Sequence, residues 1–232
     1  MALPLYLAQT AAEMAGNPLP RNTAFLSCRF SPGGQGLSNF PEELPPCSIL
    51  ILDDSTPMDG HDPQVITEQL SREISRLSCE AFLLDFQRPG NTGQLELAKI
   101  LTQSLTCPVA VSELYAGECS CPVFLPPLPP DKALSKHLAP WAGREIWLEA
   151  APDGITLTLT ESGCSVEALY DFPEDGLSED TLHCHYTVET IADSAVFRLW
   201  RTRSDLVTLL AEAEALGVTK AIGLWQELTF EG

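Results

Sequence analysis

The sequence predicts an α/β fold built on a closed parallel sheet, and three observations carry that prediction. Short apolar runs alternate with helical patterns, eight such runs can be counted, and their polar side chains gather at the C-terminal ends. Alternating strand and helix marks a parallel sheet covered by helices, and eight strands suffice to close it. A chain of 232 residues is long enough for one such domain, spanning residues 1–232, and short for two. The expected architecture is therefore a compact (β/α)8 TIM barrel.

The strands fall at residues 5–9, 24–30, 48–53, 81–87, 108–113, 122–128, 145–150 and 221–228. Each is a short, bounded apolar run of the length that suits a strand buried on both faces. Helices fall at 62–77, where Asp62 is the N-cap and Pro63 takes the first helical position, and at 92–105, 131–141 and 204–216, the last ended by Gly217. Residues 31–46 are rich in Pro and Gly and carry no helical pattern, so the crossover there is irregular. Residues 154–200 break the rhythm. Ile155 to Thr160 alternates strictly, and 195–200 is again extended, which predicts an antiparallel β-rich insertion after the seventh strand. The acidic stretch 171–180 within it reads as a solvated loop.

Charge narrows the function. Thirteen Lys and Arg face 32 Asp and Glu, a formal charge of −19, which repels phosphate backbones and anionic headgroups. Nucleic acid and membrane are excluded as partners, and no run is long enough to span a bilayer. The N-terminus has no basic residue before Arg21, so it does not read as a signal peptide. Eight cysteines, several within or just before apolar runs, read as free thiols in a reduced, cytoplasmic chain. Cys119-x-Cys121 and His183-x-His185 lack the spacing of a zinc site, and the two histidines suit an exposed strand edge. No phosphate-cradling glycine loop and no G-x-S-x-G are present. Neither a metal nor a cofactor is expected, and the oligomeric state is left open.

The run Glu80-Ala81-Phe82-Leu83-Leu84-Asp85-Phe86-Gln87-Arg88-Pro89 delivers its polar groups at the tip. It resembles the fourth-strand motif D-x-x-D-x-D-x-E of the family 18 glycoside hydrolases, the chitinase-like barrels, with Glu80, Leu83, Asp85 and Gln87 at the four motif positions. His183 to Tyr186, Phe197 to Trp200 and the Trp-bearing segment 217–228 are similar to that family's insertion strands and last helix–strand unit. The resemblance covers roughly residues 80–228. Ser31-Pro32-Gly33-Gly34 mimics the family's S-x-G-G one strand too early.

In that family the glutamic acid protonates the glycosidic oxygen, and the neighbouring aspartate orients the substrate's own acetamido group as nucleophile. The resemblance places Gln87 where the acid stands. A carboxamide hydrogen-bonds a sugar but gives up no proton. The sixth-strand M-x-Y-D is replaced by Pro122-Val123-Phe124-Leu125-Pro126-Pro127. The implied function is a catalytically altered, hydrolase-like protein that binds N-acetylated glycans without efficient hydrolysis. The alternatives are a glycosidase whose acid has moved to Glu113 or Glu227, and a non-enzymatic interaction scaffold.

The candidate site residues follow from strand ends. Asp85, Gln87 and Glu113 are the candidates for chemistry. Asp53, Asp54, Arg88, Tyr115, Trp225, Gln226 and Glu227 are the candidates for holding substrate. Each has a plainer reading as a cap, a solvated group or, for Trp225, a core side chain. Gln226 and Glu227 sit on opposite faces if 221–228 is a strand, so at most one joins the site.

Overall fold

The computed structural model describes residues 2–33 and 36–229. The chain begins with β1 (Leu5–Gln9), α1 (Ala11–Gly16), β2 (Thr23–Phe30) and β3 (Leu37–Ser38). It continues with β4 (Ile49–Asp53), α2 (Pro63–Leu77), β5 (Ala81–Asp85), α3 (Thr92–Ser104), β6 (Val109–Ser112) and α4 (Glu113–Ala116). Next come β7 (Val123–Leu125), α5 (Leu134–Leu138) and β8 (Ile146–Glu149). Parallel pairing runs β1-β14-β8-β7-β6-β5-β4-β2, with β14 at Val218–Leu224, and β1 pairs with β2 to close the ring. This is the expected eight-stranded barrel. β3 adds only a short antiparallel lip to β2, and the stretch 31–46 has no helix among its described residues. The Ser31-Pro32-Gly33-Gly34 match ends outside the described residues.

Two cores follow from the two faces of the strands. Inside the ring, Ala24, Ala81 and Ala110 leave room for the large rings of Tyr6, Phe124 and Trp147. Outside it, Leu50, Leu52, Phe82 and Leu84 pack under the apolar faces of α2 and α3, which bury Ile66, Leu70, Leu97 and Leu101. The helices start where the sequence places caps. Asp62 accepts from Gln64 N at 2.8 Å, and Asn91 Oδ1 accepts from Gly93 N at 3.0 Å.

The floor of the barrel is polar. Glu80, just before β5, accepts from Lys220 Nζ at 2.7 Å and from the Tyr6 hydroxyl, while the ammonium lies 5.3 Å from the Tyr6 ring centre and 5.6 Å from that of Trp147. Five residues of strand, ~16 Å, separate this floor from Asp85. The first motif position is thus a floor residue and takes no part at the mouth.

The insertion is a five-stranded antiparallel sheet: β9 (Gly154–Thr160), β10 (Gly163–Ala168), β11 (Leu177–Glu179), β12 (Cys184–Ile191) and β13 (Ser194–Trp200), in the order β10-β9-β13-β12-β11. β11 lies within the stretch expected to be a solvated loop. After the insertion, α6 (Arg203–Ala215) is opened by a Thr202/Asp205 capping box. Arg201, 1 % exposed, spends its guanidinium on carbonyls: Leu128 and Pro129 of the β7–α5 loop, Leu182 and His183 of the insertion. His183 pairs with Glu212, and His185 Nδ1 lies 2.9 Å from Asp205. The two histidines therefore fasten the sheet to α6, correcting the expectation of an exposed edge.

Two strands and one helix end earlier than the sequence pattern implies. β7 stops at Leu125 because Pro126 and Pro127 have no amide to donate. The run 131–141 yields only α5 and one tight turn at Ala139–Trp141, broken by Pro140. The last strand is shifted: β14 ends at Leu224, and Trp225–Thr229 forms a closing helix, α7, packed on β1 and β14. Trp225, Gln226 and Glu227 are helical, so the opposite-face argument for the last two does not apply.

Candidate functional site at the barrel mouth

Side chains that follow the inward-facing residues by two positions reach the mouth. Asp53 follows Ile51, Asp85 follows Leu83, Gln87 follows Asp85, and Glu149 follows Trp147. Asp53 and Asp85 stand side by side in register. Gln87 Nε2 donates to Asp85 Oδ1 at 2.8 Å, which fixes the amide plane and leaves Gln87 Oε1 free to accept. Burial pushes the Asp85 carboxyl above its usual range, and the charges of Asp53 and Asp54 add to the rise against the pull of the Gln87 amide.

A cleft of about 180 Å³ opens here, lined by Asp85, Gln87, Ser112, Glu113, Phe124 and Pro126 together with Phe86 and Leu114. The structure thus brings Asp85, Gln87 and Glu113 to one cleft and sets Asp53 beside it. Glu113 opens α4 and also borders two neighbouring depressions, one of about 290 Å³ with Asn91 and Tyr115, the other a groove of about 620 Å³ with Pro126 and Trp141.

Asp54 and Tyr115 are occupied by the scaffold. Asp54 is 5 % exposed, and its Oδ2 accepts from Arg88 N at 2.9 Å and Gln94 Nε2 at 3.2 Å. The buried Tyr115 hydroxyl packs on the Arg88 carbonyl and lies 2.8 Å from Gln94 Oε1. Both hold the β5–α3 loop. Asp53 accepts from the backbone and hydroxyl of Ser55. Arg88 keeps an exposed side chain whose Nη2 lies 3.5 Å from the Ser55 carbonyl. Trp225, half-buried at the start of α7, is not among the residues lining the Asp85–Gln87 cleft.

Glu149 is the mouth residue that sequence reasoning missed. It ends β8, and burial, aided by the charges of Asp85, Asp153 and Glu227, raises its carboxyl to about 7. Glu227, exposed on α7, is also raised, by burial and by Asp153. The signal was the single carboxylate closing the seventh apolar run, a position equivalent to that of Asp85 in the fourth. Among the described residues, no group of three or more His, Cys, Asp or Glu is arranged to hold a metal ion. No helix there is long and apolar enough to cross a membrane.

Solved structures of chitinases share this architecture. A class V chitinase mutant from Cycas revoluta, held with (GlcNAc)3, superposes with a TM-score of 0.58 at 12% identity over 97% of this chain and 94% of its own. The fold is chitinase-like. A chitinase from Chromobacterium violaceum gives 0.57 at 9% identity, covering 100% of this chain and 96% of that one. The Bacillus cereus spore cortex-lytic enzyme SleL also gives 0.57 at 9%, covering 98% of this chain and 72% of that enzyme. No family model matches the chain, and no curated protein does. The likeness is one of fold.

Proposed function

We propose that the barrel mouth binds N-acetylated glycans and hydrolyses them poorly or not at all. The observation that carries this is the Gln87–Asp85 pair, a polar dyad at the tip of the fourth strand of the ring that lines a cleft; the motif resemblance puts the acid at Gln87, and a carboxamide has no proton to give. The fold neighbours support a sugar ligand. Chitinases of this fold are held with (GlcNAc)3 and with allosamidin, and a Cycas revoluta variant carrying a glutamate-to-glutamine change is held with (GlcNAc)4. Gln87 and Asp85 then act as hydrogen-bonding groups toward an acetamido sugar, and Phe124 and Pro126 supply apolar surface.

The test is calorimetric titration with N-acetylglucosamine tetramer, alongside a hydrolysis assay of the natural chain and Gln87→Glu. Binding without turnover is the expected result, abolished by Asp85→Ala. Gln87→Glu regains turnover if the rest of the constellation is intact, since a general acid contributes ~10²–10⁴ in rate. Absence of binding would leave the scaffold reading in its place.

One observation favours a second reading. A carboxyl raised to about 7 is suited to donate a proton near neutrality, so if the natural chain does turn over substrate, Glu149 is a better relocated acid than Glu113 or Glu227. Loss of that turnover in Glu149→Gln, with retention in Glu113→Gln, identifies it.

A further inference from the structure

The groove of about 620 Å³ beside the cleft has the size of a ligand site and an uncommon charge for this chain. The protein has four lysines. Lys99 is paired with Glu118 at 2.6 Å and Lys220 with Glu80 at 2.7 Å. The other two, Lys132 and Lys136, are exposed, have no ion-pair partner among the described residues, and both line this groove. In a chain with 32 Asp and Glu, two unpaired ammonium groups against the single carboxylate of Glu113 in the groove's lining form a local reversal of sign.

The walls between them are apolar and held in place. Trp141 lines the groove with the Arg144 guanidinium carbon 5.5 Å from its ring centre. His137 Nε2 lies 3.2 Å from the Pro126 carbonyl, tying α5 to the proline strip. An aromatic ring and proline rings match the C–H faces of pyranoses, and a pre-set groove binds at lower ordering cost. Glu113 and Pro126 border both this groove and the Asp85–Gln87 cleft, so the two adjoin, and the Glu113 carboxylate disfavours a negative group at the junction.

We propose that this groove takes the carboxylate-bearing part of an acidic glycan whose neutral N-acetylated sugar occupies the Asp85–Gln87 cleft, with Lys132 and Lys136 receiving the carboxylate. This rests on the glycan-binding reading above and assigns its substrate class. Exposed ion pairs contribute modestly, so two of them favour the acidic over the neutral oligomer by roughly three- to tenfold at low salt.

The experiment is titration with three tetrasaccharides. One is all N-acetylglucosamine, one alternates N-acetylglucosamine with a hexuronic acid, and one alternates it with a 3-O-lactyl-substituted N-acetylglucosamine. At least one acidic oligomer binds roughly three- to tenfold tighter than the neutral one at low salt, and which one does so identifies the source of the carboxylate. The advantage disappears at high salt. It also disappears in Lys132→Ala/Lys136→Ala, while the neutral oligomer's affinity is unchanged. Neutral binding with no acidic advantage, or an advantage that survives the double variant, overturns the assignment and leaves the glycan reading standing. No binding of any of the three overturns both.

Discussion

Replacing Glu149 by glutamine tests the electrostatics of the mouth directly. The folded carboxyl is raised from 4.5 to about 7. At ~1.4 kcal/mol per unit this amounts to about 3 kcal/mol, and water reaching the mouth reduces it to about 1–3. Because the folded value lies above the unfolded one, the folded chain holds a proton that the unfolded chain has released. Stability on this account is complete below 4.5 and is lost as pH rises through about 7. Glutamine keeps the shape and removes the titration. Glu149→Gln therefore matches the natural chain at pH 4.5 and exceeds it at pH 8.5 by about 1–3 kcal/mol, or roughly 2–12 °C in Tm for a domain of this size. Urea denaturation at both pH values measures the difference. An equal effect of the substitution at the two would refute the reasoning, because it would place Glu149 in a solvent-like environment.

Asp54→Ala strips the partner from Arg88 N and Gln94 Nε2, so it loses about 2–4 kcal/mol, with Asp54→Asn costing about half, measured by urea titration. Arg201→Met leaves four carbonyls short of a donor and costs about 3 kcal/mol or more; limited proteolysis then cuts the insertion sooner than the barrel. In Gly223→Ala the new methyl would stand 2.4 Å from the Ala150 carbonyl oxygen, which forces backbone movement and lowers stability by about 1–3 kcal/mol in a thermal melt.

Strand positions were readable because a buried parallel strand is a bounded apolar run, and each such run from Leu5 to Leu148 lies on a strand of the ring. What the pattern could not convey was where a run stops being a strand. Leu224 and Trp225 are both apolar, yet the first ends β14 and the second begins a helix, a change fixed by packing against β1. The mouth was legible in part for the same reason. Asp85, Gln87 and Glu113 follow apolar runs and share a cleft, whereas Asp54 and Tyr115, with equal claims by position, are consumed by the β5–α3 loop. Glu149 escaped notice because its environment comes from residues far away in the chain. The lysine-lined groove joins side chains of α4, the β7–α5 loop and α5 that no local pattern connects.

Arg201, buried at the base of the insertion, binds the Leu128 and Pro129 carbonyls at the end of the proline strip. The position of the strip therefore depends on the insertion, whose Leu182 and His183 carbonyls hold the other half of the same guanidinium. The antiparallel sheet thus acts as a backing plate for the mouth. A change in its docking would be read out as a change in groove width, and shortening the insertion would remove one wall's support along with it.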